Sequence, residues 1–147
     1  MIRSITKEDR ELYLNLAKKF YCSDAVLHSV PEECHINAFN EMMSSDEYLL
    51  GYIIECEDKC AGYATLAKTY SPEVGGICVL IEEIYILEEF QGKGLGTEFF
   101  NFIFNEFNGV AKRFRLEATK ANNSAISLYK KLGFEVLDYI QMVKDEA

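Results

Sequence analysis

The chain has 147 residues, 49% hydrophobic and 27% charged, with 2 prolines and 9 glycines. That supplies one core's worth of apolar material and too little Pro and Gly for a disordered or collagen-like chain. Its 15 Lys and Arg stand against 24 Asp and Glu, a net charge of −9, which argues against a nucleic-acid backbone as partner and favours a cationic one.

Residues 2–5 alternate like a short strand. Thr6, with Asp9 three residues on, resembles a capping box opening a helix whose apolar stripe is Leu12, Leu16, Ala17 and Phe20. After a loop at 21–28, a second helix begins near Ser29, Pro31 and Glu32 and runs through Ala38, Phe39, Met42 and Met43. Stretches 48–55 and 61–70, rich in β-branched and aromatic residues, form a hairpin across Glu57, Asp58 and Lys59. A second reversal at 71–76 leads into a long strand, 77–87, with Glu82 and Glu83 inside it. Leu95, Phe99, Phe102, Ile103 and Phe107 then recur at helical period, so 92–96 is the turn from strand to helix. A strand at 113–118 follows. The next helix, 122–132, has the stripe Ala125, Leu128, Tyr129 and Leu132 and a Gly133 cap. Two strands, 134–137 and 139–143, close the chain. The order β-α-α-β-β-β-α-β-α-β-β describes a mixed sheet with helices on its faces. No repeat or linker divides it, so 1–147 reads as one domain.

The longest nearly uncharged run, 75–81, is far shorter than the roughly 20 apolar residues of a spanning helix, so no membrane association is expected. The five cysteines, Cys22, Cys34, Cys56, Cys60 and Cys78, are odd in number and form no C-x-x-C pair. They read as reduced thiols of a cytoplasmic protein. Cys56 and Cys60 lack the further ligands a tetrahedral metal site needs, so no metal is expected. His28 and His35 carry no partner signature.

Chemistry concentrates in Gln91, Gly92, Lys93, Gly94, Leu95 and Gly96. Between a strand and a helix, unpaired amides face an anion and glycines let the backbone approach it. A P-loop would need Ser or Thr after Gly92-Lys93, where Gly94 stands, and the third glycine comes one place early for the dinucleotide fingerprint. ATP and NAD are therefore not expected.

This turn resembles the Q/R-x-x-G-x-G/A loop of the GNAT superfamily of N-acetyltransferases, matching at Gln91, Gly94 and Gly96. The run from Glu82 to Leu87 resembles that family's fourth strand. Asn122, Ala125, Tyr129, Gly133 and Phe134 match its N-x-x-A-x-x-x-Y-x-x-x-G-F segment. The resemblance covers roughly 76–140 by motif and the whole chain by element order. It implies an α+β fold with a mixed, mostly antiparallel sheet of about seven strands flanked by four helices. It also implies acetyl-CoA as acetyl-donor cosubstrate. Ile84, Tyr85 and Ile86 would lie along its pantetheine, the 91–96 turn would hold its pyrophosphate, and Asn122 and Tyr129 would touch it. Many members are dimers, so a homodimer is compatible. Glu88 stands where many relatives carry Pro, and Gln91 where many carry Arg.

A protonated alkyl amine has only about one molecule in a thousand free to attack at neutral pH, so a base is required. By resemblance Glu82 is the favoured base, Glu83 orients substrate or replaces it, the Ile86 amide stabilises the oxyanion, and Tyr129 protonates the departing thiolate. The stretch 91–131 is locally basic, net +4, which leaves −13 for the remainder, so the acceptor side is acidic and a small cationic amine is the expected acceptor. The alternatives are a protein N-terminus or lysine as acceptor, and a non-catalytic acyl-CoA-binding sensor.

Overall fold

The computed structural model, which describes residues 1–146, turns these stretches into five strands and four α-helices. In chain order they are β1 (Ile2–Ser4), α1 (Arg10–Tyr21), α2 (Glu32–Ser44), β2 (Leu49–Cys56), β3 (Lys59–Ser71), β4 (Gly76–Ile86), α3 (Leu95–Glu106), β5 (Ala111–Leu116) and α4 (Asn123–Lys131). The strands lie side by side in the order β1-β2-β3-β4-β5. Every neighbouring pair is antiparallel except β4 and β5, whose parallel crossover runs through α3, as parallel strands require. Among the described residues no helix is long and apolar enough to cross a membrane.

The two sheet faces bury separate cores. Leu66, Val79, Ile81, Phe99, Phe100 and Ile103 fill the space under α3, whereas Tyr13, Leu16, Ala17, Phe20, Phe39, Ile53 and Tyr63 fill it under α1 and α2. Strand alternation alone would place Val79, Ile81, Glu83 and Tyr85 on one face. A bulge prevents this: Thr65 pairs with Glu83 but Leu66 pairs with Ile81, so β4 carries one extra residue, Glu82, between them. Ile84 and Ile86 therefore join the α3 side, and Tyr85 joins the α1–α2 side.

The capping box expected at Thr6 and Asp9 is present and opens a short 3-10 turn, Lys7–Asp9, that runs into α1. The Asp9 carboxylate accepts the Thr6 amide at 2.8 Å and two Arg3 guanidinium bonds at 2.8 and 2.9 Å. These partners hold its pKa down to about 2, below the usual 3.8, with the Arg3 hydrogen bonds the largest cause. A carboxyl whose folded pKa is depressed stabilises above its unfolded pKa and loses that contribution as pH falls through the folded one. Acid unfolding of wild type should therefore lose about 2 kcal/mol between roughly pH 4 and pH 2 that Asp9→Asn never had. Parallel urea titrations at pH 6 and pH 2.5 check this; an equal loss in both proteins would refute it.

The two closing strands expected at 134–137 and 139–143 do not form, so the sheet has five strands rather than about seven. A strand exists by pairing. Beyond the bond from the Phe134 amide to the Tyr129 carbonyl (2.9 Å), the described residues make no further backbone hydrogen bond. Val136, Ile140 and Met142 stand 78%, 91% and 89% exposed, so the alternation records a local preference that no strand pairing or apolar packing satisfies.

Candidate active site

The β4–β5 pairing runs from Ile77 opposite Ala111 to Ile81 opposite Leu116 and stops. β4 continues for five residues beyond Ile81, paired with β3 as its one neighbouring strand. The Leu87 amide donates to the Ala61 carbonyl at 2.8 Å, so the alternate amides of Ile84 and Ile86 point the other way, into the gap left by β5. The gap is thus edged by main-chain donors and acceptors of the kind an extended amide chain can pair with. Tyr85 is placed elsewhere: its backbone pairs with Tyr63 of β3 and its ring lies 6.2 Å from that of Phe20, on the α1–α2 face rather than at the open edge.

At the end of this edge the chain makes a 3-10 turn, Glu88–Phe90, and enters α3 through two left-handed glycines, Gly92 at φ +77° and Gly94 at φ +78°. A Cβ at either would meet nothing within 4 Å, so what demands glycine is the backbone conformation, and the space outside is open. The first α3 bond is Glu98 N–H to the Gly94 carbonyl at 3.0 Å. The amides before it have no helical partner and face outward at the positive end of the helix dipole. Gln91 contributes differently from the expectation that it touches an anion: its Nε2 donates to the Ile86 carbonyl at 3.0 Å, tying the turn to β4. Lys93 lies over the Phe90 ring, 5.6 Å from its centre. Leu95 anchors the helix start in the core, and Gly96 permits close packing of Leu128, whose Cδ2 lies 3.3 Å from where a Cβ would be.

The bulge separates the two acidic candidates. Glu82 opens onto a cleft lined by Leu80, Ile81, Arg115, Leu116, Glu117 and Gln141. Burial of its charged form raises its pKa above the ordinary carboxylate value, and repulsion from Glu117 and then Glu83 adds to the effect. Glu83 faces the α1–α2 side, only 9% exposed, and accepts a hydrogen bond from the Thr65 hydroxyl at 3.1 Å. Around it stand Tyr13, Tyr21 and Tyr63, whose protons are held more tightly than usual by burial and then by the field of Glu83.

Tyr129 projects from α4 onto Phe100, with ring centres 5.6 Å apart, and onto Phe134; burial raises its pKa, so it stays a neutral phenol at physiological pH. Asn122 caps the same helix, its Oδ1 accepting the Ala125 amide at 3.4 Å, so that oxygen is already occupied. His35 is buried against Tyr21, and His28 is exposed. The structure therefore brings Ile84, Ile86 and the 91–96 turn to one side of β4 and Glu83 and Tyr85 to the other, and leaves Glu82 at the bulge, in the cleft beside β5. Sequence reading missed Glu117, whose signal is its place just after β5 in register with the bulge, and the tyrosines facing Glu83, which in a helix stripe or strand look like ordinary core.

Comparison with known proteins agrees with this geometry. The acetyltransferase (GNAT) family model matches residues 11–134. An uncharacterized N-acetyltransferase of Methanocaldococcus jannaschii is 28% identical over 149 aligned residues, covering 97% of this chain and 66% of that protein, so this chain spans just under two thirds of that relative. Among solved structures, the aminoglycoside N-acetyltransferase AAC(6')-Iy bound to a bisubstrate analog of CoA superposes with a TM-score of 0.81 at 18% identity, over 100% of this chain and 98% of that one. A predicted acetyltransferase of Clostridium acetobutylicum with acetyl-CoA gives 0.79 at 19% identity, over 98% and 95%. With the glycine turn, the parted strands and a family match across most of its length, this chain belongs to the GNAT acetyltransferase family.

Proposed function

We propose that this chain is a single-domain cytoplasmic enzyme that transfers an acetyl group from acetyl-CoA to a primary amine, a small cationic one, by direct attack while both substrates are bound. The observation that carries the reading is the open edge of β4, which leads through the short Glu88–Phe90 turn to the free amides of the glycine turn. The amides before Glu98 would hold a diphosphate, and Ile84 and Ile86 would pair with the amides of a pantetheine arm. Bound there, acetyl-CoA supplies a thioester carbonyl open to attack by an amine lone pair.

Glu82 takes a proton from the incoming ammonium, directly or through one water, and so frees that lone pair. The Ile86 amide faces the carbonyl oxygen as negative charge develops on it. Tyr129 gives its proton to the departing thiolate sulfur. The acidic remainder of the chain, net −13 outside residues 91–131, draws a cationic acceptor toward a site whose donor side is basic.

Release of free thiol from acetyl-CoA over a panel of amines tests the activity, and calorimetry with CoA tests the turn. Gly94→Val forces a branched side chain into the left-handed region, which costs roughly 1–2 kcal/mol, and should weaken CoA binding about tenfold or more. Unchanged affinity in that variant would refute the assignment of the turn.

A further inference from the structure

The segment that follows α4 has the composition of a strand and lacks a strand's partners. Val136, Leu137, Tyr139, Ile140, Met142 and Val143 are between 46% and 91% exposed, and beyond the Phe134 amide the described residues make no backbone hydrogen bond. β5 holds the matching vacancy. It ends the sheet with β4 as its one neighbouring strand, so among the described residues no strand lies along its far edge, and such an edge is a template for pairing.

Charge decides which of these surfaces go together. β5 carries Lys112, Arg113 and Arg115 and no acid, whereas residues 134–143 carry Glu135 and Asp138 and no base. Setting β5 beside a second β5, or the segment beside a second segment, opposes like charges across the ladder. Setting the segment beside β5 opposes unlike ones.

Within one chain the two do not pair. Phe134 packs on Phe104, 6.2 Å between ring centres, and Phe104 lies 4.9 Å from Phe114 in the middle of β5. Gln141 reaches the cleft at the end of the same strand, beside Arg115 and Glu117. Extended chain from Phe134 to Gln141 would cover about 23 Å, longer than the half of β5 that these two contacts border, so the chain between them bows into solvent. A hairpin would take up the slack, but strands at 134–137 and 139–143 leave Asp138 alone between them, and the tightest common hairpin needs two residues of the Asn-Gly kind. No Gly, Asn or Pro occurs from Phe134 to Val143. The sequence therefore suits one continuous strand, and such a strand, anchored at Phe134 level with the middle of the six-residue β5, overshoots its own β5 in either direction.

We propose that residues 135–143 are exchanged between two copies of this chain, each segment pairing as a strand with the free β5 edge of the other in a two-fold dimer. Each copy then fills the other's vacancy, and the exposed apolar side chains are covered at the junction. Neither the open edge of β4 nor the glycine turn takes part, so the exchange stands or falls independently of acetyl transfer.

Sedimentation velocity and hydrogen exchange read by mass spectrometry, both on the full chain, test this. Wild type should sediment as a dimer at micromolar concentration, and the amides of 135–143 and the outward amides of β5 should gain protection together as the protein is concentrated. Ile140→Lys with Met142→Lys changes two almost fully exposed side chains, so the monomer should keep its circular dichroism. Association should weaken at least about a hundredfold, with protection lost in both stretches. A monomeric wild type, or a double variant that still dimerises, would overturn the exchange. So would protection of both stretches at every dilution, which is pairing within one chain, or protection of 135–143 with β5 unchanged, which is segment against segment.

Discussion

Glu82→Gln should lower turnover about 10²–10³-fold while leaving acetyl-CoA affinity within twofold of wild type. Gln keeps the size and hydrogen-bonding reach of the side chain and removes only its ability to take a proton. The pH profile provides the sharper reading. A base works in its deprotonated form, so the rate rises with pH through its pKa and falls below it. Partial desolvation of Glu82 in its cleft, reinforced by Glu117 and Glu83, lifts that pKa, so the acid limb should lie above the ordinary carboxylate range. Glu117→Gln removes one of the like charges and should shift the limb to lower pH with the plateau rate kept. A limb that stays where it is in Glu117→Gln, or a rate that survives Glu82→Gln, would reject Glu82 as the base.

Phe100→Ala should be the most destabilising single change in the molecule, at about 3–5 kcal/mol out of the roughly 5–15 kcal/mol that holds a domain of this size together. Phe100 is fully buried and its ring touches those of Phe99, Phe104, Tyr129 and Phe134 at 5.9, 6.0, 5.6 and 5.7 Å. It is the point where α3 grips α4, so its loss opens a cavity and unseats Tyr129 together. Urea unfolding should show a much lower midpoint, and turnover should fall even where the protein remains folded. A loss below about 1 kcal/mol would show that α4 is held by other means.

Much of this was legible in residue order because local rules decide it. The stripe of Leu95, Phe99 and Ile103 fixes α3, and the left-handed glycines at 92 and 94 are required by the turn that precedes it. The hairpin at Glu57 and Asp58 was legible as a charged turn, though both residues take positive φ, at 52° and 62°, in a turn that Asn-Gly would fill with less strain. The bulge was not legible. No residue in the run from Ile81 to Ile84 marks an inserted position, and only pairing with Thr65 and Leu66 shows that Glu82 is the extra one. For the same reason Tyr85 could not be separated from Ile84 and Ile86, nor Glu117 connected with Glu82, since both depend on which strand lies alongside. The last strands failed in the opposite direction: alternation from 134 onward was clear, but nothing local tells whether an edge stands ready to receive it.

The bulge divides labour within a single strand. Along its open edge, the proposed recognition of the acyl donor is left to peptide groups that every amino acid possesses. Toward the first two helices the same strand presents side chains, Glu83 and Tyr85, which mutation can change one at a time. Substitutions on that side leave the main-chain edge of Ile84 and Ile86 as it is, so, on the reading proposed above, a scaffold of this design can vary one face of the strand while its source of activated acetyl stays constant.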